Sequence, residues 1–213
     1  MSELLYEVSD HIATLTFNRP DQMNTISGPM LSELSERLIE ADRDPDVRVI
    51  VLTGKGRAFC AGLDIAAQSS GGGLGNVGAS PGEFDLRDAP PIVLHSVDTP
   101  TVCSLNGGAA GYGMDLALGC DIRIAAESSK LAAAFTKRGV LPESGGTWLL
   151  PRMVGYAKAA EIAFTGRTLM AKECLELGLV NQVVPDTQLA DATKAVALEI
   201  AANAPLAVRA TSA

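Results

Sequence analysis

The feature that most constrains this chain is a strand, a helix and a second strand in succession within its first 54 residues. His11 to Phe17 alternates, Ala13, Leu15 and Phe17 pointing one way and Thr14 and Thr16 the other, as in a strand with one buried face. Ser27 is placed to cap a helix with Pro29 in its first turn. Within it Leu31, Leu34, Leu38 and Ala41 recur at helical spacing, and Asp44-Pro45 ends it. Val47 to Leu52 is a β-branched apolar run stopped by Thr53-Gly54, which predicts a strand buried on both faces. Two strands joined by one helix are the parallel crossover unit of α/β proteins, so that class is the expectation.

The remainder continues the pattern and then turns helical. Pro100 to Leu105 reads as a short buried strand, followed by a small-residue turn from Asn106 to Gly113 and a helix from about Tyr112 to Leu118. Ile122 to Ala125 and Lys130 to Phe135 are strand candidates. Helices are expected around Trp148 and over 156–165, 171–177 and 186–203, with Val180 to Val184 extended between the last two. From Ala66 to Asp88 glycine and serine dominate, which suits a loop beside a site as well as a tolerated surface insertion. No fixed-period repeat interrupts this order.

Composition removes several function classes. With 213 residues, 47% of them hydrophobic, the chain is long enough for one well-cored domain, roughly 70% of its unfolded surface being buried at this size. A net charge of −8 opposes nucleic-acid binding, which needs a basic footprint. Cys60, Cys103, Cys120 and Cys174 form no CxxC pair and His11 and His95 stand apart, so neither a zinc site nor a disulfide framework is expected. No signal peptide and no membrane-length apolar run are visible, and the expectation is a cytoplasmic protein. Gly73 to Gly78 fits G-x-G-x-x-G, but it follows Ser-Gly sequence and precedes Ser80-Pro81-Gly82, so the strand and helix that such a phosphate turn requires are missing. Neither a P-loop nor a G-x-S-x-G nucleophile turn is present.

Two segments carry more chemistry. Phe59-Cys60-Ala61-Gly62-Leu63-Asp64 leaves the buried strand through a turn. It is either an ordinary strand exit with Asp64 as a cap, or a turn that points a backbone N–H into a cleft. Asn106 to Asp115 leaves the next strand through small residues into a helix start. Its glycines serve helix–strand packing or close approach to a ligand, and Asp115 complements the helix dipole or faces that ligand. Two backbone donors from separate strand exits are what stabilising an enolate oxygen requires.

Together with Asn18-Arg19-Pro20, Asn24, the Gly139 to Gly146 turn and Gly178-Leu179-Val180, these segments resemble the crotonase, or enoyl-CoA hydratase/isomerase, superfamily over nearly the whole chain. The resemblance implies a spiral of ββα units over residues 1–185 and a helical C-terminal segment over 186–213. It implies homotrimers or dimers of trimers and an acyl-CoA thioester substrate, coenzyme A being part of the substrate and no further cofactor or metal being needed. Relatives continue past the segment matching Ala204 to Val208 with further helices, so a shorter tail is expected here. By the same likeness the oxyanion donors are the backbone N–H groups of Leu63 and Tyr112. Ala61 offers its carbonyl to the adenine, and Gly62, Asp64, Gly111 and Arg19 belong to the CoA-binding surroundings.

The resemblance also shows departures. The first hydratase glutamate matches Asp115, one methylene shorter and so held back by about 1.5 Å. The second matches Phe135, which transfers no proton. Glu143 stands where isomerase members carry their single base, although it is equally placed to cap the helix carrying Trp148. Isomerisation with Glu143 as base and Asp115 assisting is therefore expected ahead of hydration, with a silent acyl-CoA binder as the other alternative. Lys55 and Arg57 are weaker candidates for CoA phosphates, and Trp148 and Phe164 are expected in the core or a subunit contact.

Overall fold

A computed structural model describes residues 2–64, 89–140, 142 and 144–211. The Gly/Ser-rich expectation from Ala66 to Asp88 and the capping expectation for Glu143 therefore lie outside the described residues.

The first unit forms as its sequence dictates. β1 (Leu4–Ser9) and β2 (Ile12–Phe17) make an antiparallel hairpin, α1 (Gly28–Arg43) follows, and β3 (Val49–Gly54) returns parallel to β2. Ser27 caps α1 by accepting the Met30 N–H at 3.2 Å, and Met30, Leu31, Leu34, Leu38 and Ala41 are buried along one face. Asp44 ends the helix in an extended conformation.

Each later unit adds one strand to each of two sheets. β3 leads to β4 (Ala58–Cys60) and α2 (Pro90–Ser96); β5 (Thr101–Leu105) leads to β6 (Gly108–Ala110) and α3 (Tyr112–Gly119); β7 (Ile122–Ala126) leads to β8 (Lys130–Ala132). The larger sheet runs β1-β2-β3-β5-β7-β10, β10 being Gln182–Val184, and every pair in it after the hairpin is parallel. The smaller runs β4-β6-β8-β9, with β9 (Thr168–Met170) antiparallel at its edge. This is the spiral of ββα units expected from the sequence.

The larger sheet is covered on both faces, which explains the unbroken apolar run of β3. Ile50 and Leu52 join the main core with α1, Phe17 and Phe59, while Val49 and Val51 join a second core with Leu189, Ala197 and Ala201. The last three belong to α8 (Leu189–Ala201), which follows a short 3-10 turn at Asp186–Gln188 and lies across β2, β3, β5 and β7. α9 (Pro205–Arg209) ties back to α1 through Arg209, which pairs with Asp42 at 3.0 Å.

One expectation needs correction and another is narrowed. The strand expected from Lys130 to Phe135 stops at Ala132, because Ala134 turns (φ −76°, ψ 4°) and α4 (Phe135–Arg138) begins. Of the two alternatives for Trp148, on α5 (Gly146–Val154), the core is ruled out: the side chain is 51% exposed, its ring lying 4.1 Å from the Arg152 guanidinium and edge-on to His95. α6 (Tyr156–Thr165) and α7 (Ala171–Glu176) fall where the pattern puts them. No helix among the described residues is long and apolar enough to cross a membrane.

Burial of the α1 stripe predicts unequal losses. Leu34→Ala, at a fully buried position, is expected to cost about 2–5 kcal/mol, and Ser27→Ala, which removes the cap, about 1 kcal/mol. Urea unfolding with an unchanged slope measures both, and equal losses would contradict this packing.

Candidate active site

The Asn18–Asn24 loop builds the first wall of the site. Its backbone runs along the exit of β4: Ala61 N–H donates to the Met23 carbonyl (3.0 Å), Ile26 N–H to Gly62 (2.9 Å) and Asp64 N–H to Ile26 (3.0 Å). Ile26 and Leu63 thus form a parallel bridge. In such a bridge the neighbours' groups face the partner strand, so the N–H of Leu63 points to the opposite side, away from Ile26. Gly62 makes the turn with φ +100°, a conformation that favours glycine.

The second wall is the exit of β6. Gly111 N–H donates to the Ala132 carbonyl at 2.9 Å, and Tyr112 starts α3. The two exits touch. A Cβ on Gly62 would lie 2.9 Å from the Ala110 carbonyl oxygen and 3.8 Å from Tyr112 N. A Cβ on Gly113 would lie 2.1 Å from the Cys60 carbonyl oxygen, so α3 starts pressed against the end of β4.

A cavity of about 120 Å³ opens between the exits, lined by Ala61, Gly62 and Leu63 from one, by Ala110, Gly111 and Tyr112 from the other, and by Ala134, Phe135, Arg138 and Val140. Five of the expected residues thus meet in one hollow. A second, larger cavity of about 320 Å³ lies between α3, α5 and α6. Met114, Leu118, Leu150, Phe135, Tyr156 and Phe164 give it an apolar wall, and among the described residues Asp115 alone contributes a carboxylate. Phe135 lines both cavities.

The remaining expected residues are placed differently. Arg19 bonds to Asp64 at 3.0 Å, to Glu3 at 3.2 Å and to the Thr25 carbonyl at 2.6 Å, and also reaches Gln22. Its guanidinium is committed to the loop that backs Leu63, and Asp64 faces Arg19 outside both cavity linings. Asp115 is 2% exposed, its Oδ2 accepting from Ser144 Oγ and from the Gly146 N–H at 3.2 Å. Glu143 lies outside the described residues. Cys60, beside the turn, is fully enclosed, and burial pushes its thiol up to about 12, so it is no nucleophile at neutral pH. Among the described residues no cluster of three or more His, Cys, Asp or Glu side chains could hold a metal ion.

Arg138 lines the smaller cavity and is missed by sequence reasoning. It reaches the smaller cavity because the chain turns into α4 where the pattern predicts a continuing strand. The -Ala-Ala-Ala-Phe- run carries no turn residue to signal this change.

Residues 7–213 match the family model described as enoyl-CoA hydratase/isomerase. The chain belongs to the enoyl-CoA hydratase/isomerase family. It is 41% identical to the 1,2-epoxyphenylacetyl-CoA isomerase of Escherichia coli K12 over 205 residues, covering 94% of this chain and 77% of that one. It is 39% identical to the (E)-benzylidenesuccinyl-CoA hydratase of Thauera aromatica, covering 96% and 78%. Among solved structures, the enoyl-CoA hydratase of Bacillus anthracis superposes with a TM-score of 0.90 at 35% identity, over 99% of this chain and 81% of that one. An acyl-CoA thioester substrate fits this enzyme family.

The contact between the exits makes a sharp prediction. Gly113→Ala must push α3 away from Cys60, destabilising the fold by about 1–3 kcal/mol and, through a shift near 1 Å at Tyr112, lowering kcat about 100-fold. Gly28→Ala, where an added Cβ meets nothing within 4 Å, is the control and should leave both unchanged.

Proposed function

We propose that this enzyme moves the double bond of an enoyl-CoA thioester from the 3- to the 2-position. The backbone N–H groups of Leu63 and Tyr112 hold the thioester oxygen and Glu143 serves as the base. The observation that carries this reading is the contact of the two strand exits around one small cavity. Donors fixed there before substrate arrives stabilise the negative charge that develops when the α-proton leaves, with little reorganisation. Ala61, Gly62 and Gly111 let the pantetheine arm and thioester approach the backbone closely.

The side chains select the reaction. Glu143 takes the proton from the α-carbon, the electron pair spreads from the thioester oxygen to the γ-carbon, and the same carboxyl returns the proton there. No atom is gained or lost. Hydration instead needs a second group to hand water its proton across the double bond, and Phe135 at that position offers only an apolar ring. Asp115, which lines the larger cavity, assists by holding the start of α5 through Ser144 and Gly146. Hydration remains the competing reading because a relative 39% identical is named as a hydratase.

The acyl group is proposed to carry an aromatic ring. Both relatives named above carry an aryl group in the acyl portion of their names. The cavity of about 320 Å³ behind Phe135, with Tyr156 and Phe164 in its wall, is of a size and polarity that suits one.

Absorbance of the conjugated thioester tests the reaction. It should rise on a 5-aryl-3-enoyl-CoA, whose ring is separated from the double bond by a methylene, and Glu143→Gln should lower the rate about 10²–10⁴-fold while acyl-CoA still binds. A fall on a 2-enoyl-CoA establishes hydration instead, and an unchanged rate in the variant rejects Glu143 as base.

A further inference from the structure

Asp115 occupies an unusual place for a proton-transfer group. Its Oδ2 accepts from Ser144 Oγ and from the Gly146 N–H at 3.2 Å, both at the start of α5. That helix has Gly145 at its N-cap (φ +98°), which supplies no side-chain cap, so the carboxylate of a different helix satisfies its first turn. The fit is tight. A Cβ on residue 146 would lie 2.3 Å from Asp115 Oδ1 and 2.8 Å from its Cγ, so only glycine there admits the carboxylate. At its other end Asp115 is built into α3 one turn after Tyr112, its N–H donating to the Gly111 carbonyl at 3.1 Å. One buried side chain therefore bridges the turn of Tyr112 and the turn of Ser144 to Gly146.

We propose that Asp115 is a positioning residue. It sets the distance between the Tyr112 amide and the segment carrying the base, and transfers no proton itself. This rests on the reading of Glu143, the residue preceding Ser144, as the base. Asp115 is then not a shortened hydratase glutamate but a side chain of the length this strut requires. An extra methylene would drive its carboxylate about 1.5 Å further, into Gly146.

The test compares variants in kcat, in dissociation constant for a saturated acyl-CoA, and in pH profile, with thermal unfolding as a check on folding. Asp115→Asn keeps an oxygen for the Ser144 and Gly146 donors and should stay within about 10-fold of wild-type kcat, with the same pH profile. Asp115→Ala should lower kcat about 100-fold at unchanged acyl-CoA affinity, the size expected when a reacting group is displaced by about 1 Å. Asp115→Glu should lose activity and gain no hydration. Adding Ser144→Ala to Asp115→Ala should cost little more, because the two side chains act as one unit. The proposal is overturned if Asp115→Asn falls as far as Glu143→Gln or loses a limb of the pH profile, since Asp115 then moves a proton. It is overturned equally if Asp115→Ala turns over within twofold of wild type, or if Asp115→Glu acquires hydration. Should Glu143→Gln keep full turnover, the base assignment fails first, and the strut loses the group it is proposed to place.

Discussion

Asn24 and Asn106 hydrogen-bond to one and the same carbonyl oxygen, that of Ala58, at 2.7 and 3.2 Å. On this shared acceptor the rest of the site depends. Asn24 is fully buried with a left-handed backbone (φ +54°), accepts from the Arg19 N–H, and donates also to Lys55. Asn106 accepts from the Gly54 N–H and donates also to Gly56. Neither amide has an apolar substitute, because each satisfies backbone groups that the β3–β4 corner would otherwise bury unpaired. They fix the corner from which β4 departs, and so the direction of the Cys60–Asp64 exit toward α3.

The two-sided core makes that direction rigid. β3 carries Ile50 and Leu52 into one core and Val49 and Val51 into the other, so it cannot slide by one residue without exchanging the sets. Its register with β2 and β5 is therefore firm, and the corner at Gly54 inherits that firmness. The donors proposed for this site are main-chain amides and need this, because a backbone N–H has no rotamer with which to correct an error in position. Arg19 reinforces the same wall from behind, pairing with Asp64 beside Leu63.

How much is legible in the chain depends on the length of each signal. The long elements, with their period of 2 or 3.6 residues, can be read directly: β2, α1, β3 and α6 lie within a few residues of their expected bounds. β4, β6, β8 and β9 have three residues each, too few to carry a period, and it is their placement that defines the second sheet. The small-residue exits are visible because close backbone approach demands glycine, and five residues expected around them line one cavity. Long-range polar contacts leave no trace in the sequence. Nothing local says that Arg19 pairs with Glu3 and Asp64, or that Asp115 reaches the start of α5.

Backbone donors and side-chain chemistry respond to substitution in different ways, and this chain illustrates both. Tyr112 offers a backbone N–H whatever side chain it carries, so on the proposed reading its phenol alters the shape of the hollow and leaves the donor in place. Phe135 is the opposite case. Its ring approaches to 3.7 Å the point where a Cβ on Gly111 would sit, and it borders both cavities. On the proposed reading, an aromatic side chain there excludes water from the vicinity of the thioester, which strengthens each remaining electrostatic interaction. On the same reading it offers no hydrogen-bonding partner to a directed water. On the proposed reading, the ring that disfavours hydration also strengthens enolate stabilisation, which is why a single carboxylate shuttling one proton is the reaction proposed for these two cavities.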